Sequence, residues 1–286
     1  MASVLITGTS KGIGLETALA FGRAGYSVCA TMRNPSQSPQ LAQTAAREKL
    51  RIAISVMDVD SDLSVRDGIA QIEKDHGPID VLVNNAGVEC VGSIEEVPLA
   101  GFRATMETNY FGALRLIQAL VPEMRERRSG AIINVTSIAG RLANPPLAAY
   151  NASKWALEAL SEALAIEMRP FNVRVAMVEP GIIDTAMARR VEDPADASLY
   201  PHRARFTSLF ANSLRNSVPP SLVAEKIVQI VESGNWQLRH PVGPDAQPLL
   251  DWRNGMTDEQ WIEFNASDDE TWYRNMGLEL PAARTA

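Results

Sequence analysis

Val4-Leu5-Ile6-Thr7-Gly8-Thr9-Ser10-Lys11-Gly12-Ile13-Gly14 stands at the head of the chain and decides its fold. A short apolar run, a turn with three glycines and an amphipathic stretch read as strand, turn and helix. The glycines have the spacing G-x3-G-x-G over Gly8, Gly12 and Gly14. Such a turn lets the backbone approach a pyrophosphate, whose charge the helix N-terminus meets. Gly8, Ser10, Lys11, Gly12, Ile13 and Gly14 are therefore candidate cofactor-binding residues.

The same alternation continues for about 180 residues. Apolar runs at 4–7, 27–31, 51–57, 81–84, 131–136 and 173–179 predict strands. Amphipathic stretches at 14–24, 39–49, 61–76, 98–128 and 150–168 predict the helices between them. Short, continuously apolar strands separated by helices indicate a parallel sheet covered on both faces. That is a Rossmann-type doubly wound α/β fold. Gly25 suits a left-handed helix end. Pro98 fits a helix start, Gly77-Pro78 closes another helix, and Pro170 ends the helix carrying Lys154.

After Gly181 the pattern changes. Residues 182–220 are mixed, with Pro194, Pro201, Pro219 and Pro220, and 221–233 predicts one more helix. The last stretch holds Trp236, Trp252, Trp261 and Trp272, and so many large aromatics argue against a disordered tail. The expectation is one domain: a catalytic body over 1–235 with a variable substrate loop at 184–220. A C-terminal appendix at 236–286 then packs on the body or on a neighbouring subunit.

Bulk properties fit an ordinary soluble globular protein and argue against several classes. The chain has 286 residues, 46% hydrophobic and 21% charged, enough for a substantial core. Net charge is -7, from 27 basic and 34 acidic residues. No basic block or stripe appears, which argues against a nucleic-acid surface. Cys29 and Cys90 form no ligand motif, and His76, His202 and His240 are far apart, so no metal site is expected. No apolar run reaches the roughly 18 residues of a membrane span. The chain enters its first strand without a signal-peptide pattern, so a cytoplasmic location is expected.

The strand ends carry the chemistry. Arg33 follows the second strand, where an acidic residue would hold a ribose diol and an arginine suits a 2′-phosphate. Lys11 and Arg33 together predict NADP(H). Asp58 and Val59 follow the third strand, at the expected adenine edge. Asn84-Asn85-Ala86-Gly87 follows the fourth, and the small residues Asn85, Ala86 and Gly87 let a flat ring lie close. Tyr150 and Lys154 are four apart on a predicted helix and so share a face. A cation beside a phenol favours phenolate, which predicts an acid/base acting on a carbonyl-type oxygen. Ser137 lies thirteen residues upstream of Tyr150.

These residues resemble the classical short-chain dehydrogenase/reductase family. The matches are Thr7-Gly8-x3-Gly12-x-Gly14, Asn84-Asn85-Ala86-Gly87, Asn109, Ser137, Tyr150-x3-Lys154 and Pro180-Gly181, and they cover about 2–235. Ala30-Thr31-Met32-Arg33 and the run from Tyr150 to Glu158 are most similar to the 17-beta-hydroxysteroid and retinol dehydrogenase type of member. The resemblance implies Tyr150 as acid in reduction and base in oxidation. It implies Lys154 on the nicotinamide ribose, lowering the phenol pKa, and Ser137 on the substrate oxygen. Asn109 is implied to anchor a water linking Lys154 to solvent. Pro180, Gly181, Ile183 and Thr185 are implied to pass over the nicotinamide. A homodimer or homotetramer, paired through the long helices, is also implied.

The substrate end is mostly apolar: Leu142, Pro145, Pro146, Leu147, Met187, Phe206, Leu209 and Phe210. The last three also read as one face of a lid helix packed on the core. Glu89, Arg141, Glu179 and His202 are optional polar contacts. A lipophilic ketone, aldehyde or alcohol is the expected partner. An epimerase or dehydratase and a non-catalytic NADP-sensing regulator are the alternatives. The former usually shows G-x2-G-x2-G, and the latter would be expected to lose Tyr150 or Lys154.

Overall fold

The first strand shows how the core is divided. Along β1 (Ser3–Thr7) every residue is buried. Successive strand side chains point to opposite faces, so Val4 and Ile6 enter one core cluster and Leu5 the other. The structure is a computed structural model that describes residues 2–191 and 198–280.

From β1 the chain alternates through α1 (Gly12–Arg23), β2 (Ser27–Met32), α2 (Gln40–Glu48), β3 (Ile52–Val56), α3 (Asp62–His76) and β4 (Val81–Asn84). It continues through α4 (Leu99–Met106), α5 (Gly112–Arg127), β5 (Gly130–Val135), α6 (Ala148–Met168) and β6 (Val173–Pro180). Beyond β6 come α7 (Ala186–Arg190), α8 (His202–Arg215), α9 (Pro220–Ser233) and β7 (Arg239–Val242). The last described helices are α10 (Ala246–Asn254), α11 (Asp258–Ala266) and α12 (Asp269–Asn275).

The strands form one parallel seven-stranded sheet in the order β3-β2-β1-β4-β5-β6-β7. One face packs Leu15 and Phe21 of α1, Leu41 of α2 and Ile227 of α9. The other packs Ile69 of α3, Leu120 and Met124 of α5 and Leu164 of α6. Burying each such side chain contributes about 1.5–3 kcal/mol. The strand order reverses at β1, which pairs with both β2 and β4. Ligands gather beyond the carboxyl ends of strands at such a switch point. Among the described residues no helix is long and apolar enough to cross a membrane.

Two expectations need correction. The single helix expected over 98–128 is interrupted by a π turn at Glu107–Phe111. Asn109 lies in that turn and braces it from its side chain: Oδ1 accepts from Val88 N (2.8 Å), and Nδ2 donates to Val88 O and Ser153 Oγ (2.9 Å each). The expected body boundary at 235/236 precedes β7, so the first strand of the expected appendix belongs to the sheet. Arg-His-Pro-Val has no strand pattern of its own and is held by pairing with β6. Residues 192–197 of the expected substrate loop, Pro194 among them, and 281–286 lie outside the described residues.

The C-terminal helices carry their own caps. Thr257 and Gln260 form a reciprocal capping box on α11, and Asp268 caps α12 through Thr271 N at 2.8 Å. They dock on the body by specific bonds. Trp261 Nε1 donates to Ala143 O (2.9 Å). Buried Arg205 of α8 donates to Asp269 Oδ1 (2.7 Å), Asn265 O (3.0 Å) and Ser267 O (2.7 Å).

Candidate active site

The carboxyl ends of the strands open into a cavity of about 620 Å³. The turn after β1 forms its floor. Gly8 has φ +71°, and a Cβ there would come 2.7 Å from the Ala86 Cα, so only glycine fits. Thr7 ties the β1 and β4 ends together: its Oγ1 accepts from Asn85 N (3.1 Å) and Ala86 N (3.0 Å), and its carbonyl accepts from Asn85 Nδ2 (2.9 Å). No side chain caps the N-terminus of α1, which leaves first-turn N–H groups for an anion. A Cβ on Gly12 would lie 3.5 Å from the Thr185 methyl, so the turn and the α7 N-terminus face each other. Thr185 itself caps α7 through Ala188 N (3.2 Å).

Gly8, Ser10, Lys11, Gly12, Ile13, Gly14, Arg33, Asp58, Val59, Asn85, Ala86, Gly87, Ser137, Tyr150, Lys154, Pro180, Gly181, Ile183 and Thr185 all line this one cavity. Lys11 and Arg33 are exposed at its edge. Asn109 does not line it. It sits buried behind Gly87, whose missing Cβ would be 3.3 Å from Asn109 Oδ1 and 3.8 Å from Lys154 Nζ.

Tyr150 and Lys154 lie on one face of α6. Lys154 is buried, and its Nζ donates to the Val135 carbonyl at 2.9 Å. Burial lowers the ammonium to about 8, with Glu158 one turn on pulling the other way. Burial pushes the Tyr150 phenol up to about 12; the neighbouring Ser137 hydroxyl draws it down and the Glu89 charge adds to the rise. Burial thus works against the eased phenol ionisation expected from a neighbouring cation. The neutral phenol is a proton donor. Ser137 Oγ accepts from Ala139 N (3.1 Å) and donates to Pro180 O (3.4 Å), which fixes it at the mouth of the cleft.

The substrate end contains Leu142, Pro145, Leu147, Met187, Phe206, Leu209 and Phe210, with Glu89 and His202 among them. Phe206 also packs with Leu147 and Val191 in a small core cluster, with Tyr150 and Phe210 against it, so the lid-helix face and the cavity wall are one surface. Pro146, Arg141 and Glu179 are not in the wall. Glu179 is fully buried and paired with Arg141 at 3.4 Å. Burial raises Glu89 to about 7, against the nearby charges of Arg190 and Arg203.

Sequence reasoning missed part of the wall. Trp252, Trp261, Phe264, Trp272 and Met276 line it from the C-terminal helices, as do Asp60 and Thr108 near the β3 end. The tryptophans were visible as a cluster, but no pattern told where they dock. Thr108 Oγ1 donates to Asp60 Oδ2 at 3.0 Å, a contact between residues distant in the chain.

A family model described as short chain dehydrogenase matches residues 2–196. A 3-ketodihydrosphingosine reductase of Bacteroides thetaiotaomicron is 35% identical over 256 residues, 86% of this chain and 90% of that protein. Retinol dehydrogenase 8 of Bos taurus is 35% identical over 263 residues, 87% of this chain and 83% of that protein. A short-chain dehydrogenase structure from Streptomyces avermitilis superposes with a TM-score of 0.77 at 31% identity, over 96% of this chain and 97% of that one. A variant of actinorhodin polyketide ketoreductase with NADPH superposes with a TM-score of 0.74 at 27% identity, over 84% of this chain and 95% of that one.

Proposed function

The chain belongs to the short chain dehydrogenase family, and from that premise we propose that it interconverts a lipophilic ketone or aldehyde and its alcohol with NADP(H). The observation that carries the reading is the meeting of Tyr150, Lys154 and Ser137 in the cavity that also holds the glycine turn. Oxidoreductase chemistry and a nicotinamide cofactor follow from the family. The preference for NADP(H) rests on Lys11 and Arg33 at the cavity edge. Their charges suit a 2′-phosphate better than a bare ribose. The likeness to a ketoreductase with NADPH supports the same choice.

The residues fit the cofactor. Gly8 lets the turn sit close against the β4 end, and the uncapped α1 N-terminus suits a pyrophosphate. Asp58 and Val59 would hold the adenine edge. Asn85, Ala86 and Gly87 would line the middle, and Pro180, Gly181, Ile183 and Thr185 would lie over the nicotinamide end. When bound, the nicotinamide supplies or accepts the hydride.

Proton handling falls to the chain. Ser137 Oγ holds the substrate oxygen and polarises it. Tyr150 Oη gives its proton to that oxygen in reduction and takes it back in oxidation. Lys154 holds the ribose hydroxyls and keeps a positive charge near the phenol. Asn109 and a water continue the proton path from Lys154 to solvent. The apolar wall from Leu142 to Trp272 excludes water and selects a lipophilic body. The lipid-related names of two relatives agree with that choice of substrate.

We read the helices after β7 as the appendix that completes the substrate wall. Homo-oligomerisation through α5 and α6 is supported by the half-exposed Trp155 and exposed Ile166 on α6 and by the half-exposed Phe111 just before α5. The test of the function is oxidation of NADPH and of NADH against ketones and aldehydes graded from small to lipophilic. Turnover with NADPH on lipophilic carbonyls is expected. Folded protein that consumes neither nicotinamide with any of them would contradict the proposal.

A further inference from the structure

We propose that Asp245, on the strand-to-helix turn after β7, is a positioning residue for the nicotinamide half of the cofactor site. The inference rests on the reading that the segment from Pro180 to Thr185 covers the nicotinamide.

That segment has no helix or strand ladder to shape it beyond Pro180. Its backbone is held from several sides. Gly181 N donates to Val242 O (2.9 Å), and Asp184 N donates to Val218 O (2.8 Å). Between them, Ile182 N donates to the Asp245 carboxylate at Oδ2, 2.8 Å away. A bond to an ionised acceptor is roughly twice as strong as a neutral one, so this is the strongest of the three restraints. The carboxylate is itself rigidly placed. Asp245 starts α10, where its carbonyl accepts from Leu249 N (3.0 Å), and it follows Gly243, whose φ is +115°.

The second carboxylate oxygen adds an independent observation. Asp245 Oδ1 is buried and has no hydrogen-bond partner. Leaving a buried charged oxygen unmatched is costly. It lies against Gly181, where a Cβ would overlap the carboxylate, and 2.8 Å from where a Cβ on Gly243 would stand. The carboxylate thus packs against Gly181 and holds the Ile182 N–H, which restrains the Gly181–Ile182 peptide from outside the cavity. Residues on Gly181, Ile183 and Thr185 reach the cofactor; Asp245 acts only through them. Reacting groups displaced by about 1 Å can lose about a hundredfold in rate, so such a support has consequences for the chemistry.

The test uses full-length wild type, Asp245→Ala and Asp245→Asn, titrated calorimetrically with NADPH, with NADH, and with adenosine 2′,5′-bisphosphate and ADP as fragments lacking the nicotinamide. Asp245→Ala is expected to weaken the better-bound dinucleotide about tenfold and to leave its matching fragment unchanged. Asp245→Asn is expected to restore binding, because its amide oxygen still accepts from Ile182 N–H. Equal loss for dinucleotide and fragment, or loss for neither, overturns the inference while leaving the cofactor reading intact. If Asp245→Ala does not fold, Gly181→Ala, whose Cβ displaces the carboxylate, must give the same selective loss, and its absence overturns the inference equally. Wild type that binds neither dinucleotide overturns the cofactor reading and this inference with it.

Discussion

The Lys154 Nζ lies 5.6 Å from the centroid of the Tyr150 ring and is tied to the Val135 carbonyl of β5. The lysine flanks the phenol from a fixed point on the sheet. Burial dominates both groups, raising the phenol to about 12 and lowering the ammonium to about 8.

A pH dependence follows. Below about 8 Lys154 carries its charge, and above it the charge is lost, while Tyr150 stays protonated throughout the working range. The kcat/KM for carbonyl reduction reports the free enzyme. It is expected to be level through neutral pH and to fall by roughly tenfold per unit once the lysine has titrated. In Lys154→Arg the guanidinium keeps its charge, so any residual activity should lose that break. A profile of the wild type with no break in the mildly alkaline range would contradict the assignment.

Cofactor choice is the next outcome. Arg33→Asp removes a cation and adds a carboxylate suited to a ribose diol. The ratio of kcat/KM for NADPH over NADH is expected to drop by about 10–100-fold. An unchanged ratio would mean that Arg33 does not face the 2′ position.

Much of this arrangement was legible in the sequence, for identifiable reasons. Buried parallel strands are short and continuously apolar, so β1 to β6 stand out. The strand-end residues Gly8 to Gly14, Asn85 to Gly87 and Tyr150 to Lys154 are local motifs that carry their own geometry. What stayed hidden depends on distant partners. The four residues of β7 hold a proline and two basic side chains and become a strand only beside β6. The π turn at Asn109 exists through bonds to Val88 and Ser153. The pKa order of Tyr150 and Lys154 depends on how deeply the fold buries them, which i, i+4 spacing does not encode. Asp245 has no motif and matters through Ile182, 63 residues away.

The aromatic wall gives a further expectation. Trp261 packs edge-on to Trp252 with centroids 5.2 Å apart, and it lines the cavity. Trp261→Ala should raise KM for bulky lipophilic carbonyls by roughly tenfold, the value of one well-filled apolar contact region. KM for a small aldehyde should stay the same. Equal effects on both would place Trp261 outside the substrate's reach.

The central claim is that Tyr150 moves the proton. Its direct test is Tyr150→Phe, which deletes one hydroxyl from a helix whose packing is otherwise kept. NADPH affinity and thermal stability should remain near wild type. The turnover number for ketone reduction should fall by about 10²–10⁴-fold. A Tyr150→Phe enzyme that binds NADPH and turns over at close to the wild-type rate would contradict the account.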